Sequence, residues 1–283
     1  MKYRKCRSGY MIRASMLPSY PDCPRRAVAK QYRRKFEKLG YVFRELPPSV
    51  GAAAGTAVHT GAEQLLRAKW AGKAITLDQA LEPAIAGFQE EIGKGAIWDD
   101  TTPNCNTAEQ QIRGMIEAYL HGPLATEMPL TINDGPAVEL ELKANAGDGW
   151  TLTGHVDLVT DKQWVRDTKT GALVRPYHAQ LGAYSLLVRS NKILQAVKGS
   201  AIDFIKRAGK TKPQPPCAVQ TYAVAPCERN AAALIQRIKE DMARFDATGE
   251  VNVFMANQMS MMCSIKYCPA YGTEFCELTG CGG

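Results

Sequence analysis

Long apolar runs are what this sequence most conspicuously lacks. No stretch of its 283 residues approaches the roughly 18 apolar residues that a membrane-spanning helix needs, so no membrane association is expected. The opening Met1-Lys2-Tyr3-Arg4-Lys5-Cys6-Arg7 is basic, but no apolar stretch follows it. That departs from a secretory leader and leads to the expectation of a cytoplasmic protein. Internal repeats and low-complexity tracts are also missing, which excludes solenoid arrays and biased linkers. Charged residues make up 22% and hydrophobic ones 45%, ordinary globular usage that excludes a disordered chain. The length fits one large domain or a core with appendages.

What is present is unevenly placed. Residues 1–44 hold 13 basic and 2 acidic residues, a net +11, whereas the other 239 hold 22 and 26, a net −4. Such a block suggests a polyanion partner, most often nucleic acid, or else a solvated basic helix face. Nine cysteines, an odd number without a leader, make a disulfide framework a poor explanation. Four of them, Cys263, Cys268, Cys276 and Cys281, fall in the last 21 residues. That clustering points to a metal or cluster site rather than to scattered core thiols. Cys6, Cys105, Cys217 and Cys227 show no pattern.

Residues 15–39 read as helical, with a turn at 18–21, and a Pro/Gly-rich connector follows at 46–51. Helical spacing recurs at 55–70, about 76–93 and 105–121. The texture then changes to three strands, 137–144, 150–161 and 163–170, with turns at 145–149 and 161–162. A helix at 176–190, strands at 201–206 and 217–225 around a loop at 207–216, and a long amphipathic helix at 228–246 complete the pattern. The expected organisation is a basic helical segment over 1–50, an α/β core over 51–250 and a cysteine-rich tail over 251–283.

The chemistry concentrates on two neighbouring strands. Along Trp150–Val159, period-2 alternation places Trp150, Leu152, Val156 and Leu158 on one face and Thr151, Thr153, His155, Asp157 and Val159 on the other. In the next strand Asp167 and Lys169 share a face. A hairpin between the two would let Asp157, Asp167 and Lys169 converge. Paired carboxylates suit a hard divalent cation, and a lysine beside them can orient water or offset charge on a phosphate. A surface salt bridge on a polar sheet face is the alternative that the residues leave open. Glu139 and Glu141, on one face of the preceding strand, are expected to support the site electrostatically, not to ligate a metal.

Four segments in order, Gly55-Thr-Ala-Val-His59, Gly154-His-Val-Asp157, Asp167-Thr-Lys169 and Gln180-Leu-Gly-Ala-Tyr184, resemble the PD-(D/E)XK nuclease superfamily. The pattern is most similar to its RecB-like exonuclease branch, which includes CRISPR-adaptation and phage recombination exonucleases. The resemblance implies a restriction-endonuclease-like fold: a mixed central sheet flanked by helices, with a helical N-terminal half and a cysteine-rich C-terminal tail. It implies Mg²⁺ or Mn²⁺ held by His59, Asp157, Asp167 and the Thr168 carbonyl, with Lys169 as the catalytic lysine. It implies that Gln180 and Tyr184, four apart on one helix face, contact the DNA or brace the site. With a nuclease core, Arg25, Arg26 and the neighbouring Lys30, Arg33, Arg34, Lys35 and Lys38 are expected to form a phosphate track.

The branch often carries a 4Fe–4S cluster on one upstream and three downstream cysteines, here Cys23 with Cys263, Cys268 and Cys276. The C-x4-C-x7-C spacing is longer than the branch's usual compact form. A local zinc site on Cys263, Cys268, Cys276 and Cys281 and unligated thiols are the alternatives. The expected function is a metal-dependent DNA exonuclease in recombination, repair or phage DNA processing, with a possible recombination partner protein. If phage-encoded, it would act in the host cytoplasm. The alternatives are an endonuclease on duplex or branched DNA and a non-catalytic DNA-binding scaffold with a degenerate core.

Overall fold

In a computed structural model, residues 9–209 and 212–276 are described. The first element among the described residues is a three-residue strand, β1 (Met11–Arg13). The first helices are α1 (Pro24–Gln31) and α2 (Arg33–Glu37). Cys23 caps α1, its Sγ accepting the Arg26 N–H, and Pro24 takes the first helical position, where no N–H is needed. The helical layer follows as α3 (Val50–Trp70), α4 (Leu77–Gly93), α5 (Cys105–His121) and the single turn α6 (Pro123–Thr126). Each long helix of this layer starts at a side chain that accepts an orphan N–H: Ser49 for α3, Thr76 in a reciprocal capping box with Gln79 for α4, and Asn104 for α5.

The strands are β2 (Thr131–Ile132), β3 (Gly135–Pro136), β4 (Val138–Gly147), β5 (Trp150–Val159) and β6 (Trp164–Gly171). Then come α7 (His178–Ser190), β7 (Gly199–Lys206), β8 (Ala218–Tyr222) and α8 (Val224–Thr248), the last closed by Gly249 in the left-handed conformation. The strand expected at 217–225 ends early because Val224 already begins α8. Among the described residues, no helix is long and apolar enough to cross a membrane.

The main sheet is mixed. β4–β5, β5–β6 and β7–β8 are antiparallel, while β6–β7 and β1–β5 are parallel. Thr151 and Thr153 each pair with β1 on one edge and β4 on the other, whereas Leu158 pairs with Arg166 of β6 and Val138 of β4. β4 keeps one edge of β5 throughout, so β1 and β6 share the opposite edge. The sheet therefore forks there. The β5–β6 ladder is confined to Leu158↔Arg166 and Val159↔Val165, and residues 154–157 face the gap.

Helices cover both faces. α3, α4 and α5 pack with Val138, Leu158 and Ile205, while α7 and α8 pack with Leu142, Trp150, Leu152 and Val156. The expected alternation along β5 holds only as far as Val156. Leu158 packs toward α3 and Val159 toward α7, the reverse of expectation. The slip coincides with Glu139 of β4 in the left-handed region at φ 52°, a local irregularity of the bulge type. The N-terminal segment and the tail are not separate layers. Phe36 meets Phe43, Phe245, Phe254 and Phe275 edge-on, joining residues expected in three different segments.

Arg25 and Arg26 do not lie on a phosphate track. They are 2% and 5% exposed, because their guanidinium groups bind the returning tail. Arg25 donates to the carbonyls of Phe254 and Val251 and to Asn252, and Arg26 donates to Ser260 and Asp22. Arg33 is paired with Glu37 and Glu45, and Lys35 with Asp246. A buried arginine needs partners for its donors; here carbonyls, an amide oxygen, a hydroxyl and Asp22 supply most of them, while Arg25 Nη1 stays buried without one.

One helix contact makes a counterintuitive prediction. Gly→Ala inside a helix normally stabilises it. At Gly182 of α7, however, an added Cβ would sit 2.0 Å from the Cys227 carbonyl oxygen of α8. Backbone cannot rotate away as a side chain can. Gly182→Ala is therefore expected to lose about 1–3 kcal/mol, read as a lower midpoint in urea; an unchanged or raised midpoint would show that α7 and α8 are not this close.

Candidate active site

The fork gathers polar groups that the flanking sheet would otherwise bury. α3 supplies His59, β5 supplies Asp157, β4 supplies Glu139, β6 supplies Asp167, Thr168 and Lys169, and α7 supplies Gln180 and Tyr184. All line one open cleft of about 720 Å³. Where the β5–β6 ladder ends, a side chain takes over from the backbone: the Thr168 N–H donates to Asp157 Oδ2 at 2.7 Å. In an extended strand a residue's N–H and C=O point to the same edge, so the Thr168 carbonyl opens on the same gap.

His59 Nδ1 lies 3.3 Å from Asp157 Oδ2 and 3.7 Å from Glu139 Oε1. Burial opposes its protonation, but Asp157 and Glu139 outweigh burial and the repulsion of Lys169, lifting its pKa to about 9. Asp157 is held above the usual carboxylate range by burial, against the pull of His59, Lys169 and the Thr168 N–H. Burial likewise lifts Asp167 to about 6, opposed by Lys169 and reinforced by Asp157. The ammonium of Lys169 loses hydration, yet Asp167 and Asp157 more than compensate and raise its pKa.

Lys169 Nζ donates to Asp167 Oδ1 at 2.8 Å and lies 2.7 Å from Oδ2. The second approach is an ion contact without hydrogen-bond alignment, so the buried Oδ2 has no donor. Gln180 Nε2 donates to the Tyr184 hydroxyl at 2.7 Å and reaches Asp167 Oδ1 at 3.4 Å. These two α7 residues thus brace the carboxylate from the side opposite α3. At the far end of the cleft, Arg207 is tied by Nη2 to Asp99, while its buried Nη1 has no partner.

The residues present fit a hard cation. His59, Glu139 and Asp157 each offer a ligand atom, all within 4.8 Å of one another, and Asp167 Oδ2 is a buried acceptor without a donor. Glu139, expected from the sequence only as electrostatic support, offers a ligand atom in the same group. The β4–β5 register pairs Leu140 with Val156 and Val138 with Leu158, which puts Glu139 directly opposite Asp157. Glu141, one row away, is exposed and outside this group. His155 also reaches the cleft, with Nδ1 3.3 Å from Glu139 Oε2.

Cys23, Cys263, Cys268 and Cys276 line one cavity with Arg25 and Arg26. Burial pushes the Cys263 and Cys268 thiols up; Cys276 and Cys23 add to it, and Arg26 opposes it. Tetrahedral zinc with Zn–S of about 2.3 Å needs sulfurs about 3.8 Å apart. Among the described residues only His59, Glu139 and Asp157 form a group of three within 4.8 Å. Cys263, Cys268 and Cys276 are therefore not gathered around a single ion. Cys281, the fourth ligand of the zinc alternative, lies outside the described residues, as does Cys6.

Comparison with known proteins agrees with this geometry. A family model of the PD-(D/E)XK nuclease superfamily matches residues 14–272. No curated protein matches the sequence. Among solved structures, a protein from Eubacterium rectale named as a candidate exonuclease superposes with a TM-score of 0.52 at 12% identity, covering 86% of this chain and 83% of its own. A second structure, SSO0001, shares 16% identity over 83% of this chain and 94% of its own, with a TM-score of 0.27.

Proposed function

The chain belongs to the PD-(D/E)XK nuclease superfamily, and on that premise we propose that it is a metal-dependent deoxyribonuclease that degrades DNA from its ends. The observation that carries the reading is the fork, where Asp157, Asp167 and Lys169 meet His59 and Glu139 in one open cleft. His59, Glu139, Asp157, Asp167 and the Thr168 carbonyl would hold Mg²⁺ or Mn²⁺. A bound divalent ion polarises a phosphoryl oxygen and lowers the pKa of attacking water. Lys169 keeps its proton beside the reacting phosphate and offsets charge that builds on it. Gln180 and Tyr184 hold Asp167 in place. Action from ends draws on the RecB-like pattern of motifs and on the name of the similar Eubacterium rectale protein. End processing in recombination, repair or phage DNA metabolism, with a recombination partner protein, fits that activity.

The test is degradation of end-labelled linear DNA and of covalently closed circles, with Mg²⁺ or Mn²⁺ against EDTA. Metal-dependent loss of linear DNA with circles intact is expected. Cleavage of circles would replace the exonuclease with an endonuclease, and DNA binding without cleavage would favour a scaffold.

A 4Fe–4S cluster on Cys23, Cys263, Cys268 and Cys276 belongs to the same reading. Its support is the cavity that these four side chains share, which links α1 to the tail. Such a cluster would act as a structural staple. Anaerobically purified protein is expected to contain iron and absorb near about 400 nm, and to lose both in Cys268→Ala. Colourless, iron-free protein would remove the cluster from the proposal.

A further inference from the structure

We propose that the face of β4, β5 and β1 turned away from α7 and α8, which is open among the described residues, is a phosphate track that grips the substrate strand to one side of the scissile bond, with Arg13 and Lys143 as its cations. The inference rests on the nuclease reading above and extends it to residues outside the metal site. Arg13 and Lys143 are both in register with Thr153, one on each side of it. Residues paired across a sheet share a face, so the three form one row. The row faces solvent, while Ile12, Leu142 and Leu152, each one residue before a member of the row along its strand, point to the other face and are buried in the core beneath α7 and α8.

Neither cation has a hydrogen-bond or ion-pair partner among the described residues. The strands hold them two inter-strand spacings apart, roughly 10 Å, with the Thr153 hydroxyl between them. Two like charges fixed around a neutral donor suit an anion lodged between them. They line a second concavity of about 340 Å³, which shares Ser15, His155 and Tyr184 with the active-site cleft. The two depressions are therefore neighbours along β5. Thr153 is four residues from Asp157, about 13 Å along the strand. A chain whose scissile phosphate sits at the fork would lay a more distant phosphate on this row. Glu141, one row nearer the fork, is the carboxylate on this wall. It separates the cationic row from the metal site, so the grip acts on the flanking strand and not on the reacting phosphate.

The test compares wild type with the double variant Arg13→Ala/Lys143→Ala on a long end-labelled single strand and on bis(p-nitrophenyl) phosphate, a diester with no flanking strand. For the strand, KM is expected to rise roughly tenfold with kcat little changed, and the salt slope of log affinity to fall by about 1.4, about 0.7 per cation. Hydrolysis of the small diester is expected to stay at the wild-type rate. The exchange variant Arg13→Lys/Lys143→Arg should keep the wild-type slope, which a merely structural role would not require. If wild type cleaves both substrates and the double variant keeps its KM and salt slope, the track is wrong and the nuclease reading stands. If wild type cleaves neither with Mg²⁺ or Mn²⁺, the nuclease reading itself falls.

Discussion

Lys169→Ala is expected to lower metal-dependent DNA cleavage by at least about 10²–10³-fold while DNA binding persists. Removing one preorganised charge-stabilising donor typically costs that much. Lys169 acts on both Asp167 and Asp157, and its ammonium lies against Asp167 at 2.7–2.8 Å. Single-turnover cleavage at saturating metal measures the loss. A rate within a few-fold of wild type would remove Lys169 from the chemistry. The same substitution carries a pH signature. Without the lysine, burial and mutual repulsion lift both aspartates further. A carboxylic acid with a raised pKa in the folded state contributes stability that is present at low pH and lost as pH rises through that pKa. Asp167 already stands at about 6. The melting temperature of the variant should therefore be lower at about pH 8 than at about pH 5, by a wider margin than in wild type.

Glu139→Gln is expected to raise the Mn²⁺ concentration for half-maximal cleavage by about 10–100-fold, with most of the rate recovered at saturating metal. The change keeps the side chain's size and removes one charge from the group formed with His59 and Asp157. Glu141→Gln is the internal control. Glu141 sits on the same strand face but one row outside the group, so its metal titration should overlay that of wild type. Equal shifts in both variants would mean that Glu139 acts only as part of a general acidic field.

Most of the elements were legible in the sequence because their signals are local. The spacing of Val58, Ala62, Leu65 and Leu66 marks α3, the alternation from Trp150 marks β5, and the turn at Asn145–Gly149 marks the β4–β5 hairpin. Glu139 could not be placed opposite Asp157 by counting from that turn, because the ladder shifts register between Asn145 and Gly147. Arg25 and Arg26 could not have been placed. Apart from the local Asp22, their partners lie more than 220 residues away, and a basic helix reads the same whether solvent or a returning tail covers it.

The sequence alone thus determined the order of helices and strands and which strands carry the acids and the lysine, because periodicity and spacing are properties of neighbouring residues. Only the tertiary structure decided how those strands open. β1 comes from the far N-terminus and occupies the β5 edge at Met11↔Thr151 and Arg13↔Thr153, while β6 holds the same edge only at its other end. The gap left between them brings His59 from one helical layer and Gln180 and Tyr184 from the other to the same carboxylates. That gap depends on pairing between residues some 140 positions apart, and pairing at that range leaves no trace in local pattern.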